Sequence, residues 1–298
     1  MFELRRLRLL HELALRGTIA EVASALSFSP STVSQQLSLL EREAGVPLLE
    51  PDGRRVRLTA EGRVLAAHAA RALELDERAR GELSRARHVP GTVRIAVMPT
   101  AAEALVPAAL TMLAERTPGL RVEMTEMAPE RALFELHARS FDLVVAEQYP
   151  GHARAVGEGV DRTLLGTDPV RLVLPPGDPA GSLSELSDRA WVLEPAGAAV
   201  RQWAVQQCRA AGFEPDVRFE ATDLAAHARL VAAGHAAAML PDLVWTGRSA
   251  GVRLLDLPGS PEREIFAAWR RGSRDNPAVV AVRDALADAL SAHPGPIV

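Results

Sequence analysis

From Ser29 to Arg42 the chain reads SPSTVSQQLSLLER. Ser29 before Pro30 is a helix N-cap followed by proline at the first helical position, and Val33, Leu37, Leu40 and Ala44 then recur at helical spacing until Gly45. The opposite face carries Ser31, Thr32, Ser34, Gln35 and Ser38, with Arg42 one turn beyond. Uncharged donors and acceptors of this size match base edges in a major groove: glutamine pairs with adenine N6 and N7, and serine or threonine with several edges. Downstream, Arg54, Arg55 and Arg57 follow Asp52-Gly53, a hairpin signal whose guanidinium groups would meet backbone phosphates. Alone, the helix also reads as a polar surface helix and the arginines as a solvated turn. Their succession along one short stretch favours double-stranded DNA.

Other chemistries are poorly supported. Gly247-Arg248-Ser249-Ala250-Gly251 matches the G-x-S-x-G nucleophile elbow, but that motif needs a strand before it and a helix after it, and VRLLDL after it reads as a strand. The eight histidines are scattered without helical i,i+4 pairs, which argues against a metal site. Cys208 is the single cysteine, so no intramolecular disulfide or multi-cysteine cluster is expected, and it reads as a small buried thiol. With no phosphate-cradling glycine motif, no cofactor and no enzymatic activity are expected. Thr100 is of more interest. It follows the strand Thr92 to Val97 and precedes a helix, the place where open α/β sheets bind ligands and where helix N–H groups suit a carboxylate or another polar metabolite. With Glu103 it also forms a capping box, a structural role for the same hydroxyl.

The elements that position these groups follow from length and periodicity. The 298 residues allow about two domains, and a composition 48% hydrophobic and 24% charged excludes a disordered or collagen-like chain. No run of 18 apolar residues exists, and the apolar N-terminal stretch is broken by Glu3, arginines and Glu12, so no membrane helix and no signal peptide are expected and the setting is cytoplasmic. The net charge of −4 is unevenly spread: residues 1–88 hold 14 Arg and 12 acids, the remainder 20 Arg and 26 acids, so only the first part could approach DNA. Leu4, Leu7, Leu10 and Ala14 predict a first helix ending at Gly17. Thr18 with Glu21 caps a short second helix, and GVPLLEPDGRRVRLT gives a hairpin after the third. That order is a winged helix-turn-helix over residues 1–58. Residues 59–89 predict one long linker helix on which Leu65, Ala69, Ala72, Ala79 and Leu83 fall at alternating spacings of four and three, with Asp76 in the missing place. That stripe reads as a dimerisation seam, the alternative being an amphipathic helix lying on its own domain. After the break at Pro90-Gly91, strands and helices alternate over 90–298, predicting an α/β unit with a parallel sheet in two lobes. Lobe I spans about 92–162 and 265–293, lobe II about 163–264, with a ligand cleft between them.

Gly17-Thr18, Ala23, Leu26, Ser29, Val33-Ser34, Leu37, Leu39-Leu40-Glu41, Gly45-Val46-Pro47-Leu48, Arg54-Arg55, Leu58-Thr59 and Gly62 together resemble the DNA-binding region of LysR-type transcriptional regulators. A weaker likeness continues to VAAGHAAAMLP at 231–241. The resemblance implies a linker-helix dimer, commonly doubled to a tetramer, and a two-lobed effector domain like that of periplasmic binding proteins, with an effector-contacting hydroxyl at Thr100. Ala101 and Met127 beside it, and Pro195, Ala196, Gly197 and Thr222 from the facing lobe, are the other expected effector-binding residues. Expected partners are operator DNA, a small-molecule effector, further copies of the chain, and RNA polymerase. The sequence departs from the family pattern at Leu49-Glu50-Pro51, where a Phe-x-Arg usually stands and one phosphate-contacting arginine is lost. It departs again at Pro30-Ser31-Thr32, which leaves the operator sequence open, and at Ala236, which replaces a second glycine. The competing reading is a solute-binding protein or enzyme on the same two-lobed fold; the N-terminal winged helix counts against it.

Overall fold

A computed structural model of the chain describes residues 1–53, 55–87, 91–247 and 251–293. Arg54, Pro90 and the central three residues of the 247–251 motif lie outside the described residues. The N-terminal unit comprises α1 (Leu4–Arg16), α2 (Ile19–Ala25), α3 (Pro30–Ala44) and the antiparallel pair β1 (Leu49–Asp52) and β2 (Arg55–Leu58). Its caps are those the sequence predicts. Gly17 and Gly45 end their helices in the left-handed conformation, Thr18 accepts from the Glu21 N–H, and Ser29 accepts from the Thr32 N–H at 3.0 Å. Leu9, Leu10, Val22, Val33, Leu37 and Leu40 fill the core, and the Glu41 carboxylate accepts from the Leu48 and Leu49 N–H groups, which ties α3 to the hairpin.

The linker helix α4 (Ala60–Arg87) begins where Thr59 Oγ1 accepts from the Gly62 N–H at 2.9 Å. A Cβ at Gly62 would lie 2.1 Å from the Leu48 carbonyl oxygen, so glycine alone lets α4 cross the hairpin this closely. The seam predicted on this helix needs correction. Ala69 is fully buried against α1, and Leu65 and Ala72 pack on the same N-terminal core, so these three are covered by their own chain. Ala79 and Leu83 remain exposed, as do Val64 and Leu75. Two apolar stripes lie side by side on this helix, and a 3.5-residue repeat on a 3.6-residue helix cannot distinguish which faces inward.

Beyond residue 91 come β3 (Thr92–Val97), α5 (Pro99–Ala104), α6 (Val106–Arg116), β4 (Arg121–Glu126), α7 (Pro129–His137), β5 (Leu143–Gln148) and β6 (Val160–Leu174). They are followed by β7 (Ala190–Leu193), α8 (Ala199–Ala210), β8 (Asp216–Glu220), α9 (Leu224–Ala232), β9 (Ala238–Pro241), β10 (Arg253–Asp256), β11 (Glu262–Arg270) and α10 (Pro277–Ser291). Lobe I orders its strands β6-β11-β5-β3-β4. Ile95, Val97 and Val145 face α6 and α10, while Ala96, Val144 and Ala146 face α7, so the central strands are buried on both sides and LVVA of β5 reads as an unbroken apolar run. In lobe II, Trp191, Trp203 and Cys208 fill one core and Val192, Val231 and Leu240 another.

Two expectations fail here. The sheet is mixed: β3 runs parallel to β4 and β5, whereas β11 pairs antiparallel with β5 and β6. The crossing between lobes also lies later than 162/163. β6 pairs with β11 as far as Pro169↔Glu262, and only from Val170 does it pair with β9, joined by β10 from Arg171. One continuous strand thus serves both lobes. Its first half, VDRTLLGTDP, carries Gly166 and Pro169, residue types that more often mark turns than strand interiors. Gly166 is instead a contact position, where an added Cβ would fall 2.7 Å from Leu290 Cδ2 of α10.

Candidate functional site

On α3, Ser31, Ser34, Gln35, Ser38 and Arg42 are exposed along one face, away from Val33, Leu37 and Leu40. The structure divides the predicted set. Ser29 Oγ caps the helix and lies 2.8 Å from the hydroxyls of both Ser31 and Thr32, so these three hydroxyls form a capping cluster at the helix start, and Thr32 is half-buried. Ser34, Gln35, Ser38 and Arg42 make no side-chain hydrogen bond within the described residues, and their polar groups point outward. On the wing Arg55 is exposed, whereas Arg57 pairs with Glu50 at 3.0 Å, its partner in the β1–β2 register. Glu50, noted above as a departure, therefore also occupies one neighbouring arginine.

Between the lobes lies a cleft of about 1150 Å³. Thr100, Met127, Pro195 and Thr222 line it as expected, but Ala101 is buried in the lobe I core, and Ala196 and Gly197 are exposed outside the lining. The capping box at Thr100 is not formed. Met98 occupies the N-cap of α5, which places Thr100 within the helix, and its Oγ1 accepts from Arg263 Nη2 at 2.7 Å. Arg263 itself is 2% exposed and donates twice to Asp168 Oδ2, at 2.9 and 2.7 Å. Asp168 Oδ1 accepts from the Leu243 N–H at 3.2 Å. Arg263 and Asp168 are register partners on β11 and β6, at the point where β11 begins and β6 passes from one lobe to the other. A buried ion pair therefore sits at the hinge, and its free edge holds a hydroxyl in the cleft floor. Glu147, Tyr149 and Glu194 also line the cleft, and the sequence reading missed all five of these groups. For Glu147 and Arg263 the only signal was a charge beside an apolar strand run, in VVAEQ and EREIFAAW.

Polar contacts tie the N-terminal unit to lobe I. Arg16 of α1 spans Glu135 of α7, with Nη1 to Oε1 at 3.1 Å and Nη2 to Oε2 at 2.7 Å, and its Nε donates to Glu12 at 2.8 Å. Glu12 is fully buried. On α4, Glu77 accepts from Arg139 at 2.7 Å and from Arg270 at 2.7–3.0 Å. Burial and the nearby Arg139 guanidinium hold His11, on α1, down at about 4, so its imidazole is neutral near pH 7. Arg16→Ala should remove the clasp and leave Glu12 buried with Arg8 at 3.9 Å as its nearest cation, costing about 1.5–3 kcal/mol. Small-angle scattering should show a longer particle. An unchanged scattering profile and melting temperature would contradict this role.

Elsewhere, Cys208 is buried and its thiol is pushed up to about 12 by burial. His235 is exposed and is not among the cleft-lining residues. Among the described residues no group of three His, Cys, Asp or Glu could hold a metal ion, and no helix is long and apolar enough to cross a membrane.

Comparisons with known proteins agree with this architecture. Residues 4–63 match the model of the bacterial regulatory helix-turn-helix protein, lysR family, and residues 86–291 match that of the LysR substrate binding domain. Similar curated proteins include the transcriptional dual regulator GltC of Bacillus subtilis (strain 168), 28% identical over 246 residues, covering 80% of this chain and 81% of GltC. The DNA-binding transcriptional dual regulator OxyR of Escherichia coli (strain K12) is 26% identical over 279 residues, covering 91% of this chain and 90% of OxyR. Among solved structures, a full-length OxyR variant from Pseudomonas aeruginosa superposes with a TM-score of 0.69 at 21% identity, covering 99% of this chain and 96% of that one. Full-length CbnR complexed with its target DNA gives 0.54 at 24% identity, covering 97% and 99%.

Proposed function

We propose, for a chain that belongs to the LysR family of bacterial DNA-binding transcriptional regulators, that α3 reads operator bases through Ser34, Gln35, Ser38 and Arg42 while Arg55 holds a phosphate. The observation that carries this assignment is the exposed polar face of α3, whose side chains are not engaged by their own fold. Ser29, Ser31 and Thr32 act first as the helix cap, and their contact with DNA is limited to the backbone phosphate nearest the helix start. The exposed stripe Val64, Leu75, Ala79 and Leu83 on α4 is the proposed dimer seam in place of the one expected from spacing. A dimer presents two copies of α3 to two half-sites, and a further doubling gives a tetramer. Contact with RNA polymerase and a cytoplasmic location belong to the same proposal, being what regulation at a promoter requires.

The cleft is the proposed effector site, with Thr100 in its floor. An effector that binds two arrangements of the lobes with different affinity shifts the balance between them, and one that binds both equally shifts nothing. The hinge strands β6 and β11 carry that change, and the Arg16–Glu135 and Glu77–Arg270 contacts pass it to α1 and α4. Some relatives are described as probable hydrogen peroxide-inducible genes activators. Peroxide sensing by a reactive thiolate is not proposed for this chain, because its single cysteine is buried and weakly acidic, the reverse of what such a thiolate needs.

Selection of bound duplexes from a random pool by the full-length chain tests the DNA assignment. The expected product is a motif of two half-sites separated by about 10 base pairs or a multiple of that. Recovery of DNA with no enriched motif would contradict it.

A further inference from the structure

Six carboxylates and three arginines line the cleft, and two of the arginines are already engaged. Arg263 is held by Asp168 and Thr100, and Arg154 donates to Glu130 at 2.5 Å and to the Glu147 carbonyl at 2.7 Å. Arg131 is exposed. Glu147, at the end of β5, is only 8% exposed, and its Oε2 is sealed from solvent with no hydrogen-bond partner among the described residues. Glu194 follows β7 in lobe II, lines the same cleft, and has no ion pair among the described residues. A buried carboxylate without a donor is costly, and a second one nearby raises the cost.

We propose that the effector of this cleft is a cation, an amine or guanidinium whose N–H groups donate to Glu147 from lobe I and Glu194 from lobe II. The inference rests on reading the cleft as the effector site. It replaces the carboxylate ligand expected from the helix N-terminus, since an anion would enter against two cleft-lining glutamates that form no ion pair among the described residues. It also supplies the differential affinity that regulation needs. The two glutamates come from different lobes and repel, so a cation between them favours the arrangement that brings the lobes together.

The pH dependence follows from the surroundings. Burial pushes Glu147 up, and burial together with the like charge of Glu147 holds Glu194 at about 7. Arg263 opposes both shifts, Arg154 acts on Glu147 and Arg201 on Glu194, while Glu130 adds to the shift of Glu147. Tyr149 is itself pushed up by burial and stays protonated. A bound cation favours the ionised carboxylates, so binding releases protons and affinity rises with pH through about 7.

The test is calorimetry and thermal melting of the full-length chain with putrescine, agmatine and L-arginine, against succinate and benzoate. At least one of the cations should raise the melting temperature, with affinity falling about tenfold from pH 8 to pH 6 if one proton is released. Glu147→Gln and Glu194→Gln should each weaken binding about tenfold or more, whereas Glu185→Gln on the lobe II surface should not. If the glutamine variants fold poorly, the pH profile of the wild-type chain carries the test alone. No response to any of the cations, or binding independent of pH, overturns the proposal. A response to succinate or benzoate that is abolished by Ala199→Trp, in the cleft wall, would keep the cleft as the effector site and remove the cation. A cation response that survives Ala199→Trp would remove the cleft itself.

Discussion

Asp168→Ala is expected to destabilise the two-lobed unit by about 3–5 kcal/mol, the cost of leaving a buried charge without its partner. Arg263 stays protonated at any ordinary pH, is 2% exposed, and donates two of its hydrogen bonds to Asp168. Removing the carboxylate also frees the Leu243 N–H, so both hinge strands and the segment after β9 lose an anchor together. Substituting both partners, as in Asp168→Leu with Arg263→Met, should recover most of the loss, because an apolar pair of similar volume removes the desolvation burden along with the attraction. Urea unfolding followed by the fluorescence of Trp191 and Trp203 measures this. A loss below about 1 kcal/mol in Asp168→Ala would mean that water reaches Arg263 and that the hinge is not a dry ion pair.

Leu75→Glu combined with Leu83→Glu should convert dimers to monomers and weaken operator binding by roughly 10²–10⁴, the range by which linked binding exceeds single-site binding. These leucines are 61% and 64% exposed on the isolated chain, so the change should leave the fold of the monomer intact. Leu65→Glu is the contrasting case. Leu65 packs on the core shared by α1 and α3, and a charge there should lower the melting temperature of the N-terminal unit. Sedimentation velocity separates the two: an intact dimer in the Leu75/Leu83 variant, or a clean monomer of normal stability in Leu65→Glu, would restore the inward stripe as the interface.

The difference between these stripes shows where reading the sequence reaches its limit. Caps, turns and the polar face of α3 were legible because each depends on residues within four positions of one another, as with Ser29 and Thr32 or Thr18 and Glu21. The family pattern was legible for the same reason, its motifs being local. The choice between two adjacent stripes on α4 depends on how α1 lies across it, and helical spacing carries no such information. The hinge strand was hidden because Gly166 and Pro169 imitate a loop, although one accommodates Leu290 and the other sits where β6 passes from one lobe to the next. The cleft floor was the least legible part. Arg263 and Asp168 stand 95 positions apart, and only the strand order brings them into register. Thr100 was read as a cap or a ligand contact; it lines the cleft, and the structure gives its hydroxyl to Arg263.

The assignment of α3 as the reading helix is tested most directly by competition binding on the fragment that the full-length chain selects. Gln35→Ala should cut discrimination against a single base-pair change by about 1–3 kcal/mol while leaving affinity for random duplex nearly unchanged. Arg55→Ala should weaken binding to every sequence alike and lower the slope of log affinity against log salt by about one. If Gln35→Ala instead loses affinity equally for the selected and the random fragment, the exposed face of α3 does not read bases and the account of this chain's DNA recognition fails.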